Sequence, residues 1–358
     1  EIASCLVGSE MCIRDRYSAC GKELILLAYV TIPKDLSRIQ SKVLFGLTKR
    51  QVICFGAAAL VGVPLFFLTK GALGTTTAAL CMILVMLPFF LFAMYEKNGQ
   101  PLEVMTFNVR LDIPSDSVNN WNYRKGDACR MIAYYSPDLL GIQEVLHNQM
   151  EDLKRGLPQY TALGVGRDDG KEAGEYCPIF FRTDRFTLVE YGNFSLSEQP
   201  ETIGIKGWDA SYNRVTTWAI LQEKNNGQKF VYFNTHLDND GKTARKEGVQ
   251  LILDKIKEIA PDMPAIITGD FNCTPGEEPL QTLEKGGMEN AAKTAAVTYG
   301  PSWSFHDFGR LPVEERVLLD YVFVTKSAKI DRYRVIQDKP ENSYLSDHCP
   351  ILVELTVQ

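Results

Sequence analysis

Histidine is scarce in this chain, four residues in 358, so where each one falls carries weight. No CxxC pair occurs, and after residue 104 the only cysteines are Cys129, Cys177, Cys273 and Cys349. That excludes a disulfide framework and a zinc ribbon. No Gly-rich phosphate loop and no Ser-His-Asp ordering is present either. Basic charge is thin where a nucleic-acid binder would need it. Residues 1–102 hold ten Lys/Arg and six Asp/Glu, leaving 28 and 38 for the remainder, a net charge there of −10. Non-specific nucleic-acid binding relies on basic surface, so this disfavours a nuclease while leaving room for a local basic groove.

Charge is missing altogether from 52–69 and from 78–95. Each run approaches the ~20 apolar residues that cross a bilayer's hydrocarbon core. The loop between them, 70–77, suits a helical hairpin, so the sequence predicts two transmembrane helices. Lys34, Arg38, Lys42, Lys49 and Arg50 precede the first run, and only Lys70 lies in the loop. This asymmetry predicts a membrane protein with both ends of the hairpin, and the domain that follows, in the cytoplasm.

Three segments differ in character. Residues 4–18 read as a translated sequencing adapter, so 1–21 are expected to be a non-native leader. Residues 22–103 form the membrane hairpin. From Ala28 to Glu103, including Leu47-Thr48-Lys49-Arg50, the chain resembles the PrgI-like small membrane proteins of conjugative type IV secretion systems. The resemblance implies a membrane component of conjugation machinery and no catalytic residue. At Val104 the pattern changes within one residue, so residues 104–358 are expected to have joined the hairpin by natural fusion or by chimeric assembly of the gene. The linker 96–103 reaches at most about 28 Å when extended, which would keep the second domain near the membrane.

Six short motifs organise residues 104–358: Thr106-Phe107-Asn108, Gly141-Ile142-Gln143-Glu144, Asn234-Thr235-His236-Leu237-Asp238, Gly269-Asp270-Phe271-Asn272, Leu319-Asp320-Tyr321 and Ser346-Asp347-His348. Several end an apolar β-type run, and ligands in layered α/β proteins collect where strands run out into loops. Carboxylates, amides and imidazoles in such an array suit a hard divalent cation and a phosphate ester. Strands are predicted at 104–109, 139–143, 179–182, 216–221, 229–235, 265–268, 321–324 and 351–355. An amphipathic helix is predicted at 242–260, where Val249, Ile252, Leu253, Ile256 and Ile259 recur at helical spacing. Several strands are apolar on both faces, so both faces of their sheet should be covered.

On these motifs, residues 104–358 resemble the metal-dependent endonuclease/exonuclease/phosphatase superfamily. The resemblance implies an α/β fold, a four-layer α/β/β/α sandwich, with one Mg²⁺- or Mn²⁺-dependent site. By motif matching, Glu144 is expected as the chief metal ligand, with Asn108 beside the metal and Asp347 joining directly or through water. Asp270 should activate the attacking water and Asn272 donate to the phosphoryl oxygens. His348, paired with Asp320, should contact the scissile phosphate; His236 and Asn239 should contact the phosphate or leaving group. Arg214 and Trp208 are candidate substrate contacts in the loops 174–181 and 207–215. His147 reads as a solvated helix-start residue and His306 as a substrate-loop candidate. The expected activity is hydrolysis of a phosphodiester or phosphomonoester by a water activated at Asp270. A DNA or RNA nuclease and a structural membrane component of conjugation are the alternatives.

Overall fold

The computed structural model describes residues 52–91 and 101–357 throughout, and the backbone alone at 6–7, 10–13, 28–31, 42–44, 47–51 and 92–94. The expected leader and the linker therefore lie largely outside the described residues. Two compact units result, 1–97 and 98–358. The first carries short strands β1 (Leu6–Val7), β2 (Glu10–Ile13), β3 (Ala28–Thr31), β4 (Lys42–Leu44) and β5 (Leu47–Thr48), then helices α1 (Lys49–Leu73) and α2 (Thr75–Met94).

The two helices fold back on one another. Phe55 meets Phe90 with ring centroids 5.3 Å apart, and Gly62 leaves space that Met82 and Met86 occupy. The loop expected over 70–77 is far shorter: helix runs through Lys70 and resumes at Thr75, and Gly74, at φ +77°, makes the whole turn. A left-handed residue is where glycine is favoured. The pair of spans is supported only in part. Among the described residues Val52–Leu73 is long and apolar enough to cross a membrane, whereas the apolar stretch Thr75–Leu91 is shorter.

The second unit is an α/β sandwich. A seven-stranded sheet orders as β15 (Val297–Tyr299), β17 (Lys329–Val335), β18 (Ile351–Thr356), β6 (Leu102–Asn108), β7 (Leu139–Gln143), β9 (Ile179–Arg182) and β8 (Tyr160–Leu163). A six-stranded sheet orders as β10 (Phe186–Ser195), β11 (Val215–Glu223), β12 (Lys229–His236), β13 (Ala265–Asp270), β16 (Asp320–Thr325) and β14 (Met288–Asn290). Side chains alternate across a strand, and this places both cores. On β6, Leu102 and Val104 point between the sheets, while Met105 and Phe107 point outward to Trp121, Met131 and Ile132 of α3 (Trp121–Tyr135) and Met150 and Leu153 of α4 (His147–Gly156). On the other side, α5 (Lys242–Ile259) and α6 (Glu278–Lys285) contribute Val249, Ile252, Leu253, Leu280 and Leu283 to the larger core.

Toward the ends of the strands the space between the sheets turns from apolar to polar. Asn234 donates through Nδ2 to the carbonyls of Ile142 and Pro178 on the opposite sheet, at 2.7 and 2.9 Å. Its Oδ1 accepts from Gln143 Nε2 at 2.7 Å and from Thr268 Oγ1 at 3.0 Å. Buried polar groups must be paired, and this side chain is fully used. The approach needs a glycine: a Cβ on Gly141 would sit 2.2 Å from Thr268 Oγ1 and 2.4 Å from Asn234 Oδ1. This cross-sheet network is the floor of the site.

Candidate active site

Strand register brings the motifs together. In the six-stranded sheet, His236 on β12 pairs with Asp270 on β13, and Asp270 pairs in turn with Asp320 on β16. In the other sheet, Asn108 on β6 pairs with Gln143 on β7, so Glu144 leaves the sheet next to it. Asp347 and His348 approach just before β18, whose Ile351 pairs with Thr106. Three residues at these exits, Arg110 (φ 60°), Glu144 (φ 60°) and Asn272 (φ 47°), have left-handed backbones without being glycine. Such conformations cost of order 1–3 kcal/mol each and cluster at functional sites.

Asn108 joins the two sheets chemically. Its Nδ2 donates to Glu144 Oε1 and to Asp270 Oδ2, each at 2.9 Å, and its Oδ1 accepts from the Arg110 backbone at 3.0 Å. Asp270 also accepts from the Asn272 backbone at 3.0 Å, and both His236 Nε2 and His348 Nε2 lie 3.7 Å from its Oδ2. Burial, helped by the neighbouring Asp320 carboxylate, raises the Asp270 pKa to about 7. A carboxylate poised near neutrality is suited to accept a proton from water.

The two histidines have opposite electrostatics. Burial alone would depress His348, but Asp320, at 2.8 Å from Nδ1, and Asp270 overcome it and raise the pKa to about 10. His348 is therefore an imidazolium at neutral pH. His236 is pushed well below its ordinary value by burial and by the nearby Arg214 and Arg167 guanidiniums. It is neutral, and its Nε2 accepts from Asn272 Nδ2 at 3.1 Å.

Other expected residues sit differently. Asn272 uses its Nδ2 on His236 and on the Leu237 carbonyl, so it braces the site and has no amide hydrogen left over for a phosphoryl oxygen in this state. Asp347 faces Arg110, whose Nε is 3.8 Å from Oδ2, and accepts from Ser346 Oγ. Arg214 is buried, bonded to Asp238 at 3.3 Å and to Asn239 Oδ1 at 2.9 Å, with Nη1 left unpartnered. Trp208 lies farther out, its backbone donating to Glu198. His147 begins α4, half-exposed, beside Tyr176. His306 corrects the expectation of a substrate-loop residue: it is buried between Trp303 and Tyr344, accepts from the Gly309 backbone, and burial lowers its pKa to about 3.

Three residues were missed in the sequence. Arg110 touches Glu144 and Asp347. Glu175 comes within 4.0 Å of His236 Nδ1, and burial together with Glu144 raises its pKa to about 7. Arg167 pairs with Glu175 at 2.8 Å and, like Arg214, lies against the Tyr212 ring. The advance signal was Glu175 within the 174–181 loop and one Arg two residues beyond Asn108.

The donor set fits a hard divalent cation. Glu144, His236 and Asp270 each bring one ligand atom within 4.8 Å of the others, and carboxylate oxygen is the donor such ions prefer. Within this set Asp270 is the near-neutral carboxylate, and the His348 imidazolium stands 3.7 Å from it. Fold and site together define a hydrolase of phosphate esters. Residues 105–348 match the Endonuclease/Exonuclease/phosphatase family, and the chain belongs to it. Residues 31–111 match the PrgI family protein model, a match that runs on into β6. A solved endonuclease/exonuclease/phosphatase from Bacteroides vulgatus is 43% identical, with a TM-score of 0.71, covering 72% of this chain and 100% of that one. The mannosyl-6-phosphatase of Bacteroides thetaiotaomicron is 37% identical, with a TM-score of 0.67, covering 71% and 99%. The Ccr4 exoribonuclease subunit of Mycosarcoma maydis is 24% identical over 66% of this chain, which spans 46% of that protein's length.

Proposed function

We propose that the chain hydrolyses small polar phosphate esters, using Mg²⁺ or Mn²⁺ held on Glu144. The observation that carries this reading is the convergence on Asp270: Asn108 hydrogen-bonds it, two imidazole nitrogens flank it, and its pKa lies near 7. When bound, the cation supplies positive charge to the phosphoryl oxygens. Asp270 accepts the proton of the attacking water. His348, kept charged by Asp320, donates to a phosphoryl oxygen as negative charge builds, the electrostatic part of an in-line displacement. Neutral His236, with Asn239 beyond it, lies toward the leaving group. Asn108 keeps Glu144 and Asp270 in register.

A small substrate is favoured over a polynucleotide because the arginines around the site are already engaged: Arg167 with Glu175, Arg214 with Asp238, Arg110 with Asp116. Among the described residues each of the three is held by a carboxylate, and the one unpartnered nitrogen, Arg214 Nη1, is buried. The similarity to a mannosyl phosphatase makes sugar phosphates the first class to test. The similarity to Ccr4 makes oligonucleotides the competing class. A hydrolysis panel with Mg²⁺ or Mn²⁺ should show turnover of sugar phosphates and little of oligonucleotides. Oligonucleotide turnover at the higher kcat/KM would reject the small-substrate reading.

For the first unit we propose a membrane anchor, supported by the apolar helix Val52–Leu73 and the PrgI match, with the catalytic unit cytoplasmic and Trp208 at the substrate rim. Recovery of the full chain in a detergent-free soluble fraction would reject the anchor. Amplification across the codons for Pro101 to Met105 from genomic DNA separates natural fusion from chimeric assembly.

A further inference from the structure

Arg110 is held in an unusual way for a side chain so near a cation site. Its Nε lies 3.1 Å from Asp116 Oδ2 and 3.8 Å from Asp347 Oδ2, and its Nη1 lies 3.9 Å from Glu144 Oε2. The backbone that aims it is left-handed and pinned on both sides. Asn108 Oδ1 accepts its N–H, and its carbonyl accepts from Gln149 Nε2 at 2.9 Å and Arg124 Nη2 at 3.3 Å. The guanidinium thus spans the gap between two carboxylates expected to share a metal.

Charge around the site fits this placement. Asp116, Glu144 and Asp347 lie against the Arg110 guanidinium, and the buried Arg124, whose Nη1 donates to the Val109 and Leu345 carbonyls at 2.7 Å, adds a second positive group near Asp347 and Asp116. The neighbouring pairs His348–Asp320, Arg167–Glu175 and Arg214–Asp238 close on themselves. Two-metal phosphoesterase sites place their ions about 3.5–4 Å apart, and a second ion at Asp347 would meet a fixed positive group.

We infer that Arg110 is a positioning residue that fills the cation place at Asp347 and so restricts the site to a single divalent ion on the Glu144–Asp270 side. This rests on the metal-dependent reading above, and it reassigns Asp347 from metal ligand to partner of Arg110. The guanidinium offsets the charge of Asp347, while Glu144 is held in place by Asn108 Nδ2 at 2.9 Å and the Leu111 backbone at 3.2 Å.

The test is Mn²⁺ titration of the full chain, read by electron paramagnetic resonance of free Mn²⁺ and by calorimetry, with no substrate present. The wild type should bind one ion. Arg110→Gln should bind two at saturation, because the vacated place lies between carboxylates. Arg110→Lys keeps the charge and should still bind one. Asp347→Asn should bind the ion more weakly, through the lost charge, but should still bind one, because that ion is held on the Glu144–Asp270 side. Two ions in the wild type, one in Arg110→Gln, two in Arg110→Lys, or loss of the bound ion in Asp347→Asn would each overturn the inference. Should Arg110→Gln fail to fold, the Arg110→Lys and Asp347→Asn results decide it alone. No Mn²⁺ bound by the wild type would instead overturn the metal-dependent reading itself, and the inference with it.

Discussion

His348 and Asp320 are locked through Nδ1 and Oδ2 at 2.8 Å, both buried, with the second carboxylate oxygen of Asp320 left without a partner among the described residues. The pair fixes which ring nitrogen faces Asp270 and keeps the ring charged. Asp320→Asn should return the His348 midpoint from about 10 toward the ordinary value of about 6.5. In the wild type the raised pKa contributes stability that is complete below about pH 6.5 and is lost as pH rises through about 10. The variant should lack that alkaline loss, and the alkaline limb of its pH–rate profile should move to lower pH. Histidine titration by NMR checks the first part; an unmoved midpoint would refute the coupling.

Asp270→Asn keeps the shape of the side chain but removes its ability to take a proton. The expected fall in kcat is roughly 10²–10⁴-fold, the usual scale for a general base, at unchanged Mn²⁺ stoichiometry. Glu144→Ala should act in the opposite order, weakening Mn²⁺ binding before anything else, since it removes a charged oxygen donor. Single-turnover kinetics and Mn²⁺ titration separate the two, and near-wild-type turnover by Asp270→Asn would end the water-activation role.

Asp270 ionises at about pH 7 in the fold, above its ordinary 3.8, so the folded state holds extra protons between those values. Stability then falls as pH rises through that window and levels off above it. His236 and His306 are depressed and act in the opposite sense up to about pH 6.5, so the informative quantity is a difference between proteins. In a chelator, the wild type should lose roughly 1–4 kcal/mol relative to Asp270→Asn from pH 4 to 7. Mn²⁺ should reverse the loss at pH 7 by favouring the ionised carboxylate. Parallel denaturation curves for the two proteins at every pH would contradict this.

Gly141 is a structural test of the floor beneath the site. Gly141→Ala forces a methyl group against Thr268 Oγ1 and Asn234 Oδ1, both buried in the cross-sheet network. Overpacking of this kind costs about 1–3 kcal/mol, with loss of activity because Asn234 and Gln143 underlie the strand ends. A urea midpoint equal to that of the wild type would show that the sheets can separate there without cost.

Buried strands were legible in the sequence because both of their faces are apolar. Leu139–Gln143 and Ile179–Arg182 coincide with the expected ranges residue for residue, and Lys242–Ile259 ends one residue early. The edges were not legible. β10 is bulged between Leu188 and Glu190 and exposes its middle, and β17, covered on one side only by the three-residue β15, carries Lys329, Arg332 and Arg334. Asp270, His348, Asp320, Asn108, Glu144 and His236 were visible as polar endings to apolar runs. Arg110, Arg167 and Glu175 were not: Arg110 and Glu175 reach the site through Asp347 and His236, which come from distant segments, and Arg167 reaches it only through Glu175.

The side chains around Asp270 leave from strand ends whose register is fixed by pairing and by the polar floor, while Trp208, Tyr212 and Arg167 hang from loops between strands. If those loops contact the substrate, selectivity can change while the chemistry stays. Grafting residues 165–175 and 198–213 from another member of the family should exchange the preferred substrate while the reaction itself is kept, as a tool holder accepts a new bit without being rebuilt.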